Sequence, residues 1–152
     1  MVIFVKSEGY CVNIDPNFII YMGRDKFENE DLIKYGLPSD YWFHADSLSS
    51  AHVYLRLPEG LTIDDVPKEV LNEVFQLVKE GSKDGRKKEY INICCTPWEN
   101  LLKQGDMEVG AVYYKNPKNI KVYNKIGKDK DVLKRLEKSF DERKVILKVK
   151  NI

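Results

Sequence analysis

The chain has 152 residues, enough for one domain whose core needs neither disulfides nor metal. At 43% hydrophobic and 32% charged residues it falls in the globular range, which excludes a disordered or fibrous chain. No apolar run approaches the roughly 20 residues that span a bilayer, and the start MVIFVKSEGY lacks the segments of a secretory signal, so a cytoplasmic protein with no membrane segment is expected.

The net charge of +1 is unevenly spread. From Lys115 to Ile152 there are 13 Lys or Arg against 5 Asp or Glu, a net of +8; the rest of the chain carries 12 against 19, a net of −7. An electropositive end on a mildly acidic body suits a polyanionic partner. Cys11, Cys94 and Cys95 form no spaced pair, which argues against a disulfide framework and against zinc. Reduced cysteines in a reducing compartment are expected.

Taken in order, Val2 to Val5, Tyr10 to Ile14 and Phe18 to Met22 read as short strands, separated by turn residues such as Gly9, Asp15 and Pro16. Lys26 to Tyr35 has helical composition and stops at Gly36 and Pro38. Tyr41 to Ala45 and His52 to Leu57 are two further strands joined by the polar loop Asp46 to Ser50. A clear amphipathic helix follows, with Asp64 and Asp65 as its cap, Pro67 in its first turn and Gly81 or Gly85 at its end. Val70, Leu71, Val74, Phe75, Leu77 and Val78 make its apolar face. Tyr90 to Cys95 reads as a central strand covered on both faces. Thr96, Pro97 and Glu99 suggest a capping box opening a short helix through Lys103. Ala111 to Tyr114 and Ile120 to Tyr123 suggest a hairpin about residues 116–119, and Asp131 to Phe140 a last helix. Arg143 to Lys150 alternates as an edge strand or a frayed end would. The expected fold is one α/β (α+β) domain over residues 1–140, a mixed, mostly antiparallel sheet packed with three to four α-helices, followed by a basic tail at 141–152.

Phosphate-loop, dinucleotide and nucleophile-elbow motifs are absent. Ser50, His52 and Asp46 contain the residue types of a hydrolytic triad, but their spacing gives no oxyanion site. No catalytic residue, cofactor, metal or small-molecule substrate is expected. Binding chemistry is better represented. Gly23-Arg24-Asp25-Lys26 sets two cations where a strand meets a helix, and amides at a helix start with a nearby Arg make an anion site; an ordinary solvated turn is the competing reading. Ser49, Ser50 and His52 supply hydroxyl and imidazole groups suited to phosphate or ribose. Trp98, beside a helix start with Lys103 a turn beyond, suits a base-stacking platform, or equally a ring folded onto the sheet.

Gly23-Arg24-Asp25 with Asn29-Glu30, then Asp40-Tyr41-Trp42-Phe43-His44-Ala45, then Ser49-Ser50-Ala51-His52-Val53, resemble the NFACT-R domain family. Thr96-Pro97-Trp98 with Asn100-Leu101, and Asp106-Met107 with Val109-Gly110, are similar to its stand-alone eukaryotic branch. The resemblance implies an RNA-binding module, with larger relatives acting in ribosome-associated quality control on tRNA and the large subunit. It puts the family motif on Arg24, Asp40, Trp42, His44, Ser50 and His52, with Asp40 and Trp42 architectural and the others facing the ligand. The expected nucleic-acid-binding set is thus Arg24, Lys26, His44, Ser49, Ser50, His52, Trp98 and Lys103, with RNA a better partner than DNA. The ribosome or a quality-control protein is the further partner considered, and a protein-docking module the rival function.

Overall fold

Strand alternation decides the architecture, because successive side chains point to opposite faces. In the strand Tyr41–Ala45, Phe43 and Ala45 point to one buried layer while Trp42 and His44 point to the other. The computed structural model describes residues 2–6, 18–23, 25–103, 107–109, 111–137 and 140–143. The strand expected at Tyr10 to Ile14, Cys11, Arg24 and the tail beyond Arg143 lie outside the described residues.

In chain order the elements are β1 (Val2–Lys6), β2 (Ile19–Gly23), α1 (Lys26–Tyr35), β3 (Tyr41–Ala45), β4 (Val53–Arg56), α2 (Lys68–Glu80), β5 (Tyr90–Pro97), β6 (Leu101–Leu102), β7 (Tyr113–Tyr114), β8 (Lys121–Gly127), α3 (Lys130–Glu137) and β9 (Phe140–Arg143). Seven strands form one sheet in the order β8-β5-β3-β4-β2-β1-β9, every pairing antiparallel, and β6 with β7 makes a small second sheet. With three α-helices, this is the expected single α+β domain.

One face of the sheet (Ile20, Phe43, Val53, Leu55, Ile93) packs against Val70, Val74, Leu77 and Val78 of α2 and Leu136 of α3. Fully burying such a side chain stabilises by about 1.5–3 kcal/mol, so this layer supplies much of the driving force. The other face is aromatic: Tyr21, Trp42 and Tyr54 pack with Leu32 of α1, Cys94 and Leu101. Tyr21 and Tyr54 stack with ring centroids 5.0 Å apart. The fully buried Asp40 is held by a two-pronged contact from Arg56, Nε to Oδ1 and Nη2 to Oδ2 both at 2.9 Å, and Tyr21 donates its hydroxyl to the same carboxylate.

Four local expectations are corrected. Thr96 does not cap a helix: its hydroxyl donates to Asn119 O and accepts from Asn100 Nδ2, so only the 3-10 turn Trp98–Asn100 forms before the chain returns to β structure. The expected hairpin between Ala111–Tyr114 and Ile120–Tyr123 is divided between two sheets. Tyr113–Tyr114 pairs with Leu101–Leu102, and β8 takes the free edge of β5. Asp64 and Asp65 belong to a separate 3-10 turn, Ile63–Asp65, where Asp65 Oδ2 accepts from Thr62 N at 2.8 Å; α2 starts after Pro67. The last helix ends at Glu137, and Phe140 instead opens β9 along β1.

Candidate nucleic-acid interface

The loop joining β3 to β4 organises the site, and its shape is set by short-range polar bonding. Ser50 Oγ accepts from Ala45 N at 3.0 Å and donates to Ala51 O at 2.9 Å, so it tightens the loop on itself. Ser82 donates to Ser49 O at 2.7 Å, Ala51 N to Gly81 O at 2.9 Å and Asp46 N to Asn92 O at 2.9 Å. Ser47 takes a left-handed conformation, φ 63°. Gly81 admits this approach because a Cβ there would lie 2.6 Å from Ala51 Cβ. The triad reading has no geometric support, since the Ser50 hydroxyl is committed to the backbone.

On one side of the loop lies a cleft of about 530 Å³, lined by Asp25, Lys26, Asn29, Ser49 and Ser50 from this region and closed by Leu136 of α3. The turn before α1 behaves differently from the expected anion site. Asp25 Oδ1 accepts from Phe27 N at 3.0 Å and Glu28 N at 2.9 Å, so a carboxylate of the chain already occupies the amides that a phosphate would use. Lys26 is exposed, its ammonium 5.4 Å from the centre of the Phe27 ring. Asn29 Oδ1 is buried with no partner.

On the other side a cavity of about 340 Å³ is lined by Trp42, His44, Asp46, His52, Cys94 and Tyr114, with the 111–112 segment as one wall. Trp42 and His44, two residues apart on β3, lie nearly parallel with centroids 5.3 Å apart. His52 stands edge-on to both, 5.4 Å from Trp42 and 5.0 Å from His44, and Tyr114 meets the indole edge-on at 5.8 Å. Trp42 Nε1 and His52 Nδ1 are buried and have no hydrogen-bond partner among the described residues. His44 Nδ1 donates to Ala45 O at 2.7 Å, which fixes its tautomer. Burial lowers the His44 pKa below the usual 6.5. Burial, then the His44 and Lys103 charges, push His52 down to about 3. At neutral pH His52 is therefore uncharged, a hydrogen-bonding group and not a cation.

The remaining expected residues, Trp98 and Lys103, make contacts within the fold. Trp98 Nε1 donates to Leu32 O at 3.1 Å, and the indole lies against Gly36, where a Cβ would come within 2.4 Å of the ring. Trp98 therefore seals the end of α1 and lines neither cleft, whereas Trp42, 2% exposed, is stacked on His44 in the cavity wall. Lys103 bonds Glu30 Oε2 and Ala111 O, both at 2.9 Å, and so ties Ala111 to α1. Asn100, part of a family-like motif but given no role from the sequence, is buried: Nδ2 donates to Asn116 O at 3.0 Å and Oδ1 accepts from Asn116 N at 2.8 Å. It thereby shapes the turn that displays the exposed Lys115 and Lys118 next to Tyr114. The signal available for the cavity was the two-residue spacing of Trp42 and His44, which puts both rings on one strand face; nothing in the local pattern around Tyr114 pointed to it. Among the described residues no group of three His, Cys, Asp or Glu is placed to hold a metal ion, and no helix is long and apolar enough to cross a membrane.

The family model described as the NFACT protein RNA binding domain matches residues 1–116. Coiled-coil domain-containing protein 25 of Danio rerio is 54% identical over 130 residues, 86% of this chain and 63% of that protein. Its Dictyostelium discoideum homolog is 52% identical over 138 residues, 91% of this chain and 67% of that protein. Protein JLP2 of Saccharomyces cerevisiae is 44% identical over 123 residues, 79% and 59% of the two chains. The chain thus spans roughly three-fifths to two-thirds of these relatives. Among solved structures, the C-terminal part of the fibronectin/fibrinogen-binding protein from Streptococcus suis superposes with a TM-score of 0.68 at 20% identity, covering 90% of this chain and 47% of that one. At that identity the likeness is one of fold.

Proposed function

The chain belongs to the NFACT protein RNA-binding domain family, and from that premise we propose that it is a non-catalytic module that binds single-stranded nucleic acid, RNA in preference to DNA. The observation that carries the reading is the convergence of the family-motif residues Trp42, His44 and His52 on the lining of one cavity, with Tyr114 as a further wall and the exposed Lys115 following it in the chain. Lys115 and Lys118, displayed beside Tyr114, supply the positive charge for the backbone of the nucleic acid. A ribosomal RNA or a tRNA in quality control, met in a reducing cytoplasm, suits this chemistry and the free buried thiols of Cys94 and Cys95.

The test is competition between single-stranded RNA, single-stranded DNA of the same sequence, tRNA and duplex DNA for a labelled RNA bound to the chain. Single-stranded RNA or tRNA should displace the label at the lowest concentration. Equal displacement by duplex DNA would refute the single-strand preference, and failure of any of them to bind would refute the function.

A further inference from the structure

Resting on that reading, we infer that Tyr113 is the stacking surface for one unpaired base, with Lys115 on the same strand face for the adjoining phosphate. Strand alternation is the first argument, because successive side chains point to opposite faces. Along residues 111–115 the chain is exposed at Ala111, Tyr113 and Lys115 and half-buried at Val112 and Tyr114. Val112 and Tyr114 pack onto the aromatic layer of the main sheet. Tyr113 therefore faces away from that layer and is 60% exposed. Leu102 stands opposite it in the register of β6 with β7, so the two side chains share a face with Cβ atoms about 4.5–5.5 Å apart. An open aromatic face stacks a base of any sequence.

The second argument is that the ring is unclaimed while its strand is held. Among the described residues Tyr113 has no ring, cation or hydrogen-bond partner. Two other exposed rings differ in this: the Lys26 ammonium lies 5.4 Å from the centre of Phe27, and that of Lys125 lies 5.1 Å from the centre of Tyr90. Beyond Tyr114 the backbone is fixed, since Lys115 N donates to Asn100 O at 2.9 Å and Asn116 N to Asn100 Oδ1 at 2.8 Å. A ring presented on a fixed strand has little conformational freedom left to lose on binding. The third argument is charge. Lys115 follows two residues on, about 7 Å along the strand, and Lys118 sits in the next turn, where its N–H donates to Asn116 Oδ1 at 3.1 Å. A base on the ring thus has its flanking phosphates beside two cations, whereas an apolar protein side chain on the same ring would gain nothing from them. A base in a duplex is already stacked on its neighbours and must be extruded first, which accounts for a single-strand preference without any contact to sequence.

The experiment measures the affinity of the whole chain for labelled RNA 8-mers, base-bearing and fully abasic, beside the variants Tyr113→Leu and Tyr113→Phe. Leu keeps an apolar side chain at this exposed position and removes only the ring; Phe keeps the ring and removes the hydroxyl. Tyr113→Leu should bind the base-bearing strand about tenfold or more weakly, while its affinity for the abasic strand and its salt slope stay native. Tyr113→Phe should bind both strands as the native chain does. Native affinity of Tyr113→Leu for the base-bearing strand, an equal loss for both strands, or a loss in Tyr113→Phe as large as in Tyr113→Leu would overturn the stacking surface and leave the nucleic-acid reading standing. No binding of either 8-mer by the native chain would overturn both.

Discussion

Asp40 has no exposed surface, and Arg56 and Tyr21 take up its carboxylate. Removing one partner of such a pair leaves an uncompensated buried charge at a cost of about 3–5 kcal/mol, whereas replacing both is far milder. Arg56→Met should therefore lower the urea midpoint strongly, and the double substitution Asp40→Asn/Arg56→Met should recover part of the loss; equal loss in both would contradict the pairing. His52 makes a second residue-scale prediction. Its folded pKa of about 3 lies below its unfolded 6.5, so below pH 6.5 the unfolded chain binds a proton that the folded chain refuses. Stability from this group is complete above pH 6.5 and declines as pH falls towards 3, by about 1.4 kcal/mol per pH unit. Denaturation midpoints measured from pH 7.5 to 4.5 should fall less steeply in His52→Leu than in the native chain. Parallel curves would show that the imidazole is not held neutral.

At the scale of elements, two short segments position the site. Asn100 makes its bonds to Thr96, Asn116 and Asn119 around one turn. Asn100→Ala should cost about 2–4 kcal/mol, since several buried groups lose partners at once, and should weaken RNA binding by releasing Lys115 and Lys118. Gly81→Val places a Cβ 2.6 Å from Ala51 Cβ and 3.0 Å from Leu77 O. Backbone cannot yield there as a flexible side chain would, so a cost of about 1–3 kcal/mol should accompany chemical-shift changes centred on Ser49 to Ala51. The sequence patterns that named elements correctly were the periodic ones. Val70 to Val78 announced α2, and the alternation of Tyr41 to Ala45 announced β3 with its two-faced burial. What misled was local chemistry with two outlets. Thr96-Pro97-Trp98-Glu99 has the residues of a capping box, but Thr96 found Asn119 from a distant turn. Asp25 was read as the neighbour of an anion site, whereas its carboxylate caps α1 itself. Trp98 and Trp42 are alike as residue types, and only packing separates the ring set against Gly36 from the buried one stacked on His44.

For the whole molecule, the sheet order β8-β5-β3-β4-β2-β1-β9 places the motif strands β3 and β4 at its centre and the lysine-rich β8 at one edge. No pairwise reading of the chain reveals that order, because non-local pairing depends on which edges remain open. The aromatic cavity sits on the sheet face that carries Trp42 and Tyr114, and the 115–128 region that follows Tyr114 in the chain holds five lysines. Some of those lysines are already paired, Lys121 with Asp64 at 3.1 Å and Lys128 with Glu80 at 3.9 Å. Among the described residues Lys115 and Lys118 make no ion pair, so under the proposed function they are the lysines that meet a phosphate backbone. Each such contact releases condensed counterions, so affinity must fall with salt, by about 0.7 in log–log slope per phosphate on a single strand. The decisive measurement is the anisotropy of a labelled single-stranded RNA over a range of salt, for the native chain and for Lys115→Ala/Lys118→Ala. The account predicts a linear loss of affinity with salt and a slope shallower by about 1.4 in the variant. Binding that ignores salt, or a variant with the native slope and affinity, would contradict it.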